Sequence, residues 1–131
     1  MKVFPEDYMY SREHLWVRVD GDLATIGITD YAQEKLGEVL SIELPEIDTE
    51  VERDESFGSL ESAKAVIELI APVGGQVVNV NDDLLDDVGI INSDPHDTGW
   101  LIVIEMSDLD EIDDLLDTRG YNDFILESEE D

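Results

Sequence analysis

Apolar and polar positions alternate over Leu15, Val17 and Val19, with Trp16 and Arg18 between them, and a second apolar run from Leu23 to Ile28 follows after Asp20-Gly21. A period of two is the mark of a strand, and Asp-Gly supplies the positive φ angles of a tight turn, so this pattern predicts a hairpin. Thr29 or Asp30 is placed to cap a short helix that carries Tyr31, Ala32 and Leu36 and ends at Gly37. Val39-Leu40-Ser41-Ile42 reads as a strand that stops at Leu44-Pro45, because proline removes a backbone donor and restricts the residue before it.

Further along, two periodicities compete. Leu60, Ala63, Ile67 and Ile70 recur at nearly helical spacing, while Gly58 and Val66-Ile67 favour extended chain, and local propensity alone leans to helix. Pro72-Val73-Gly74-Gly75 marks a turn, and residues 76–80 read as the next strand. Asn81 or Asp82 is expected to cap a helix over Leu84, Leu85 and Val88 that closes at Gly89. The mostly continuous apolar run Trp100 to Ile104 predicts a core strand covered on both faces. Asp108, with Glu111 three residues on, predicts a capped amphipathic helix carrying Leu109, Ile112, Leu115 and Leu116 and ending near Gly120. A second helix from about Asn122 packs Phe124 and Ile125 ahead of an acidic tail. No long linker or low-complexity stretch interrupts residues 1–131, which read as one domain.

Charge changes the picture more than length does. The chain has 35 acidic and 7 basic residues, a formal net charge of −28, yet 42% of its 131 residues are hydrophobic. That apolar share argues for a packed core rather than disorder. The negative field repels nucleic acid phosphates and anionic membrane surfaces, so neither is an expected partner. It equally suits solubility in a salt-rich cytoplasm or steering towards basic protein surfaces, and composition does not choose between these. Cysteine is absent, which removes disulfides and thiolate metal centres from this chain. The start, Met1 to Asp7, lacks an apolar signal core, and no run approaches the roughly 20 apolar residues of a membrane span, so a cytoplasmic location is expected.

Candidate chemistry narrows to one residue. Lys64 is one of three lysines and sits in Glu61-Ser62-Ala63-Lys64-Ala65. By residue type alone it is an ordinary solvated lysine. Its small neighbours, however, leave the amine open to an acylating enzyme, which points to a modification site. His14 and His96 are the two imidazoles and lie far apart in sequence, so no metal site is assigned. The acidic run Asp82 to Asp87 lacks the alternating ligands and central glycine of a calcium loop. Gly74-Gly75 forms a turn and not a phosphate-binding pattern.

Several ordered motifs resemble the glycine cleavage system H protein family. They are His14-Leu15-Trp16-Val17, the stretch Ile26 to Gln33, Leu36-Gly37-Glu38, Glu43-Leu44-Pro45-Glu46, Phe57-Gly58, Glu61 to Ala65, Ala71 to Gly75, Ile91-Asn92 and Gly99-Trp100-Leu101-Ile102. The match runs from about Tyr10 to Tyr121. The resemblance implies a mainly β fold, the barrel-sandwich hybrid of lipoyl and biotinyl domains, with short helices and a C-terminal helical segment. In that fold the modified lysine sits on a tight hairpin tip, which overrides the helical reading of residues 60–70.

The same resemblance implies a non-catalytic lipoyl carrier in which Lys64 becomes N6-lipoyllysine. Glu61, Ser62, Ala63, Ala65 and Gly75 belong to the attachment and ligase-recognition motif, and Glu68 and His14 are candidate contacts for the loaded arm. The implied partners are a lipoate ligase or transferase, a pyridoxal-phosphate glycine decarboxylase, a folate-dependent aminomethyltransferase and dihydrolipoyl dehydrogenase. The arm would shuttle an aminomethyl group and reducing equivalents among the last three, with the carrier working as a monomer. Three departures from the family pattern stand out. Leu15 replaces a common glutamate, Val66-Ile67 replace smaller or polar residues, and Asp48 stands where a turn glycine is usual. Leu15 and the Val66-Ile67 pair keep open an alternative, an H-like lipoate-binding protein that carries sulfur intermediates for a heterodisulfide-reductase-like system.

Overall fold

The computed structural model describes residues 5–130. Met1–Phe4, part of the stretch lacking a signal core, and Asp131 at the end of the acidic tail lie outside the described residues. The chain forms two antiparallel sheets with helices at their margins. Strands β1 (Met9–Tyr10), β2 (Leu15–Asp20), β3 (Leu23–Ile28), β5 (Glu50–Val51), β8 (Gly75–Val80) and β9 (Ile102–Met106) make a six-stranded sheet in the order β1-β2-β3-β9-β8-β5. The other three, β4 (Val39–Glu43), β6 (Ser56–Ser62) and β7 (Val66–Ile70), form a sheet with β6 at its centre. This is the barrel-sandwich arrangement that the family resemblance implies.

Alternation explains how the sheets close on each other. Leu15, Val17, Ala24, Ile26, Val77, Ile102 and Ile104 from the larger sheet and Val39, Ile42, Phe57, Leu60 and Leu69 from the smaller one share a buried cluster. Removing such side chains from water is the main stabilising term, worth roughly 1.5–3 kcal/mol for each large one. The opposite face of β2 is covered as well, because Trp16 packs with Tyr8, Tyr10, Tyr121 and Ile125 in a second cluster. Its indole N–H donates to the Pro95 carbonyl at 2.8 Å. Gly27 is obligatory beneath that ring, since a Cβ there would lie 2.5 Å from Trp16 Cε2.

Helix α1 (Asp30–Leu36) matches the expected boundaries. Thr29 accepts from the Ala32 N–H, and Gly37 ends the helix at φ +74°. Other expectations need correction. Helix α2 covers only Asp83–Asp86 without a side-chain cap, because Asn81 is buried and donates instead to the Thr98 and Trp100 carbonyls. Val88 therefore lies beyond the helix, and Gly89 precedes a further one, α3 (Ile90–Ser93), that periodicity did not reveal. Strand β9 begins at Ile102 rather than Trp100, and it alternates, with Glu105 exposed between buried Ile104 and Met106.

The predicted helix over residues 109–120 divides in two. A 3-10 helix covers Leu109–Asp114, with Asp108 accepting from the Asp110 N–H. Leu116 then bridges to Tyr10, and α4 runs Thr118–Glu130 with Gly120 inside it. Glu111 does not complete a capping box; its carboxylate accepts from the Gly74 N–H at 2.9 Å and faces Arg53. That cross-link stitches the C-terminal segment to the turn before β8. Strands β1 and β5, two residues each, are too short to leave a periodic signal.

Candidate functional site

Lys64 lies between β6 and β7, in the three-residue connection Ala63-Lys64-Ala65. The helical alternative for residues 60–70 is thus excluded, and the reason is tertiary: Leu60 and Leu69 point into the shared core from paired strands. The tip contains no glycine or proline, and none of residues 62–65 has a positive φ. Ser62 supplies what those residues would. Its side chain is buried, and its Oγ accepts from the N–H groups of Lys64 at 3.2 Å and Ala65 at 3.1 Å. The Ser62 N–H donates to the Ala65 carbonyl at 2.8 Å, closing the turn.

A second tie reaches outside the hairpin. The Ala63 N–H donates to the Glu38 carbonyl at 2.9 Å, in the corner between α1 and β4. The Lys64 side chain is exposed, and its stem passes over Gly37, where a Cβ would lie 3.5 Å from Lys64 Cε. Backbone fixed and amine in solvent is the combination an acylating enzyme requires. A lipoyl group joined by an amide fits here, because Ala63, Lys64 and Ala65 are all exposed and the residues beside the lysine are small.

The remaining motif residues divide by location. Glu61 is exposed, pairs across the sheet with Ser41 and Val66, and accepts from the Ser41 hydroxyl at 3.2 Å. Ala65 completes the tip. Gly75 belongs to the other sheet, where a Cβ would lie 2.0 Å from the Glu105 carbonyl oxygen; it permits β8 to approach β9 closely. Glu68 is exposed on the outward face of β7, two residues along from Val66, and accepts from the Ser56 hydroxyl at 2.6 Å.

His14 stands apart from the tip. It sits at φ +66° among the rings of Tyr31, Tyr121 and Phe124, and its Nδ1 is 2.8 Å from the Tyr121 hydroxyl. Burial lowers its pKa from the ordinary 6.5, because the imidazolium loses hydration there. Burial also raises the Tyr121 phenol, so this pair is neutral near pH 7. Leu15, which stands in place of the family's common glutamate, is only 2% exposed and part of the core. Asp48 does occupy a glycine-like conformation, φ +79°. Val66 is 70% exposed, while Ile67 packs against the core.

Sequence reasoning missed the residues that support the tip from outside. Asn92 is the clearest, since its carboxamide bonds the corner on which Ala63 rests. The Ile91-Asn92 motif named it without giving it a role. Ser62 was read as a small neighbour rather than as the acceptor that shapes the turn.

The two facing sheets place this chain in the class of lipoyl-type barrel-sandwich carriers. The glycine cleavage H-protein family model matches residues 8–128. Glycine cleavage system H proteins of Bacillus licheniformis and Halalkalibacterium halodurans are 48% and 47% identical to the chain. Those alignments cover 94% and 97% of this chain and 97% and 99% of the relatives. The crystal structure of a glycine cleavage system H protein from Mycobacterium marinum superposes with a TM-score of 0.84 at 36% identity, covering 92% of this chain and 97% of that one. The chain belongs to the glycine cleavage H-protein family, the lipoate-bearing carriers of that system. Among the described residues no helix is long and apolar enough to cross a membrane.

Proposed function

We propose that Lys64 Nζ is the atom to which lipoate is joined, and that this chain acts as a non-catalytic cytoplasmic carrier, working as a monomer. The observation that carries the reading is an exposed lysine on a three-residue bend, folded by buried Ser62 and tied to Glu38. When bound, the lipoyl group would supply a strained disulfide able to accept an aminomethyl group with reduction at sulfur, leaving partner enzymes to remove the one-carbon unit and ammonia and to reoxidise the dithiol. This chain's own contribution is geometric. Acylation removes the lysine charge, the tip fixes the origin of the arm, and docking raises the arm's local concentration to the order of millimolar at a partner's active site.

Glu61, Ala63 and Ala65 flank the amine and form the surface a lipoate ligase or transferase meets. Glu68 and His14 are proposed contacts for the loaded arm, and Glu68 has the better support. It shares an outward face with Val66 beside the tip, whereas His14 turns towards Tyr121. The proposed partners are glycine decarboxylase, the folate-dependent aminomethyltransferase and dihydrolipoyl dehydrogenase. The sulfur-carrying alternative draws no support from the relatives, which bear the glycine cleavage name.

The test is reconstitution. The lipoylated chain should support exchange of labelled bicarbonate into glycine by glycine decarboxylase, and Lys64→Arg should support none, because guanidinium forms no lipoyl amide. Full lipoylation without exchange would overturn the glycine assignment, and exchange by the arginine variant would overturn the role of Lys64.

A further inference from the structure

We infer that Asn92 is a positioning residue for Lys64, acting through the corner between α1 and β4; this rests on Lys64 being the attachment point. Asn92 is half-buried on α3, next to Ile91, which is fully buried and pins that short helix. Its carboxamide makes three bonds to one place. Oδ1 accepts from the Val39 N–H at 2.8 Å, and Nδ2 donates to the Gly37 carbonyl at 2.8 Å and to Gln33 Oε1 at 3.0 Å. A backbone donor on one side and a backbone acceptor on the other fix the orientation of the amide, since its reverse would set like against like.

Glu38 lies between the two clamped residues, and its carbonyl receives the Ala63 N–H, one residue before Lys64. Gly37 itself passes beneath the lysine stem. Ser62 folds the tip, but it moves with the tip; the bond to Glu38 sets the tip against the body of the protein. Asn92 holds that carbonyl in place. Freed of the clamp, the tip would have to be ordered each time an enzyme engages it, and that cost falls on binding rather than on the chemical step.

Asn92→Asp is the informative variant. It keeps size and the acceptor for Val39, but sets an oxygen against the Gly37 carbonyl and Gln33 Oε1. Two readouts are expected to move. Hydrogen exchange at the Ala63 amide should accelerate, and KM for the chain in acylation by lipoate ligase should rise by about tenfold, the scale of fixing one residue's backbone, with kcat nearly unchanged. Acidification should narrow the gap to the wild-type chain, because a protonated carboxyl can again donate to Gly37. Asn92→Ala, which adds no charge, should show the same rise without the recovery in acid.

Ile104→Val, which trims a buried core side chain on β9 of the larger sheet, controls for general loss of stability and should leave both readouts alone. The proposal is overturned by unchanged KM and unchanged Ala63 exchange in Asn92→Asp, or by an equal KM rise in Ile104→Val. If the wild-type chain takes no lipoate on Lys64, the attachment reading fails on its own, and Ala63 exchange alone decides whether Asn92 holds the tip.

Discussion

The β2–β3 hairpin turns on Gly21, at φ +64° with nothing within 4 Å of a would-be Cβ, whereas the β6–β7 hairpin turns on Ala63-Lys64-Ala65 without any positive φ. In the first, Asp20 pairs with Leu23, so Gly21 and Asp22 form the loop and one residue's backbone freedom suffices. In the second, the turn is shaped by the Ser62 hydroxyl and by the Glu38 carbonyl in the corner between α1 and β4. The difference follows from what each must present. A glycine turn needs no neighbours and serves only to reverse the chain. A turn that presents a side chain gains from external anchors, because they restrain the presented residue as well as the backbone.

Three perturbations separate the two hairpins, beginning with the largest. Ser62→Ala strips the acceptor from the Lys64 and Ala65 amides; with unsatisfied donors costing about 1–3 kcal/mol each when buried, and these only partly so, a loss of about 2 kcal/mol is expected in denaturant titration. Acylation of Lys64 should slow in parallel. Stable protein with normal acylation would show that the hydroxyl does not shape the tip. Gly21→Ala forces a side chain to positive φ, a cost of roughly 1 kcal/mol, and acylation kinetics should be indistinguishable from the wild-type chain. A slower acylation there would mean the two turns are coupled.

The smallest effect is expected from acid, at the open end of the first hairpin. His14 precedes β2 and has a folded-state pKa below its ordinary 6.5. The unfolded chain therefore binds the proton more readily, so the His14 contribution is intact above pH 6.5 and is lost as pH falls from there towards the folded value. His14→Asn, which tolerates the positive φ, should flatten this part of the stability profile relative to the wild-type chain. The Ser62 bonds that shape the β6–β7 tip contain no titrating group, so the ratio of acylation rates for the two proteins should not change over the same range. Identical stability slopes would remove His14 from the account.

The same contrast explains what could be read from the sequence. Asp20-Gly21, Thr29 and Gly37 act locally, and their elements appeared where alternation and capping chemistry placed them. Residues 60–70 carried no such local instruction. Their helical spacing was resolved by resemblance to a family and, physically, by Leu60 and Leu69 meeting the opposite sheet. Asn81 and Glu111 looked like capping residues and were diverted to distant backbone groups, because long-range bonds outcompeted local ones. Asn92 failed to register for a related reason: its three partners lie 53, 55 and 59 residues away along the chain.

The most direct test is peptide mapping by mass spectrometry after incubation of the full chain with lipoate ligase, ATP and lipoate. The account predicts a single lipoyl adduct, on Lys64, with Lys2 and Lys35 unmodified. An adduct on either of those lysines in place of Lys64, or no adduct under conditions that lipoylate a glycine cleavage system H protein of the family, would contradict it.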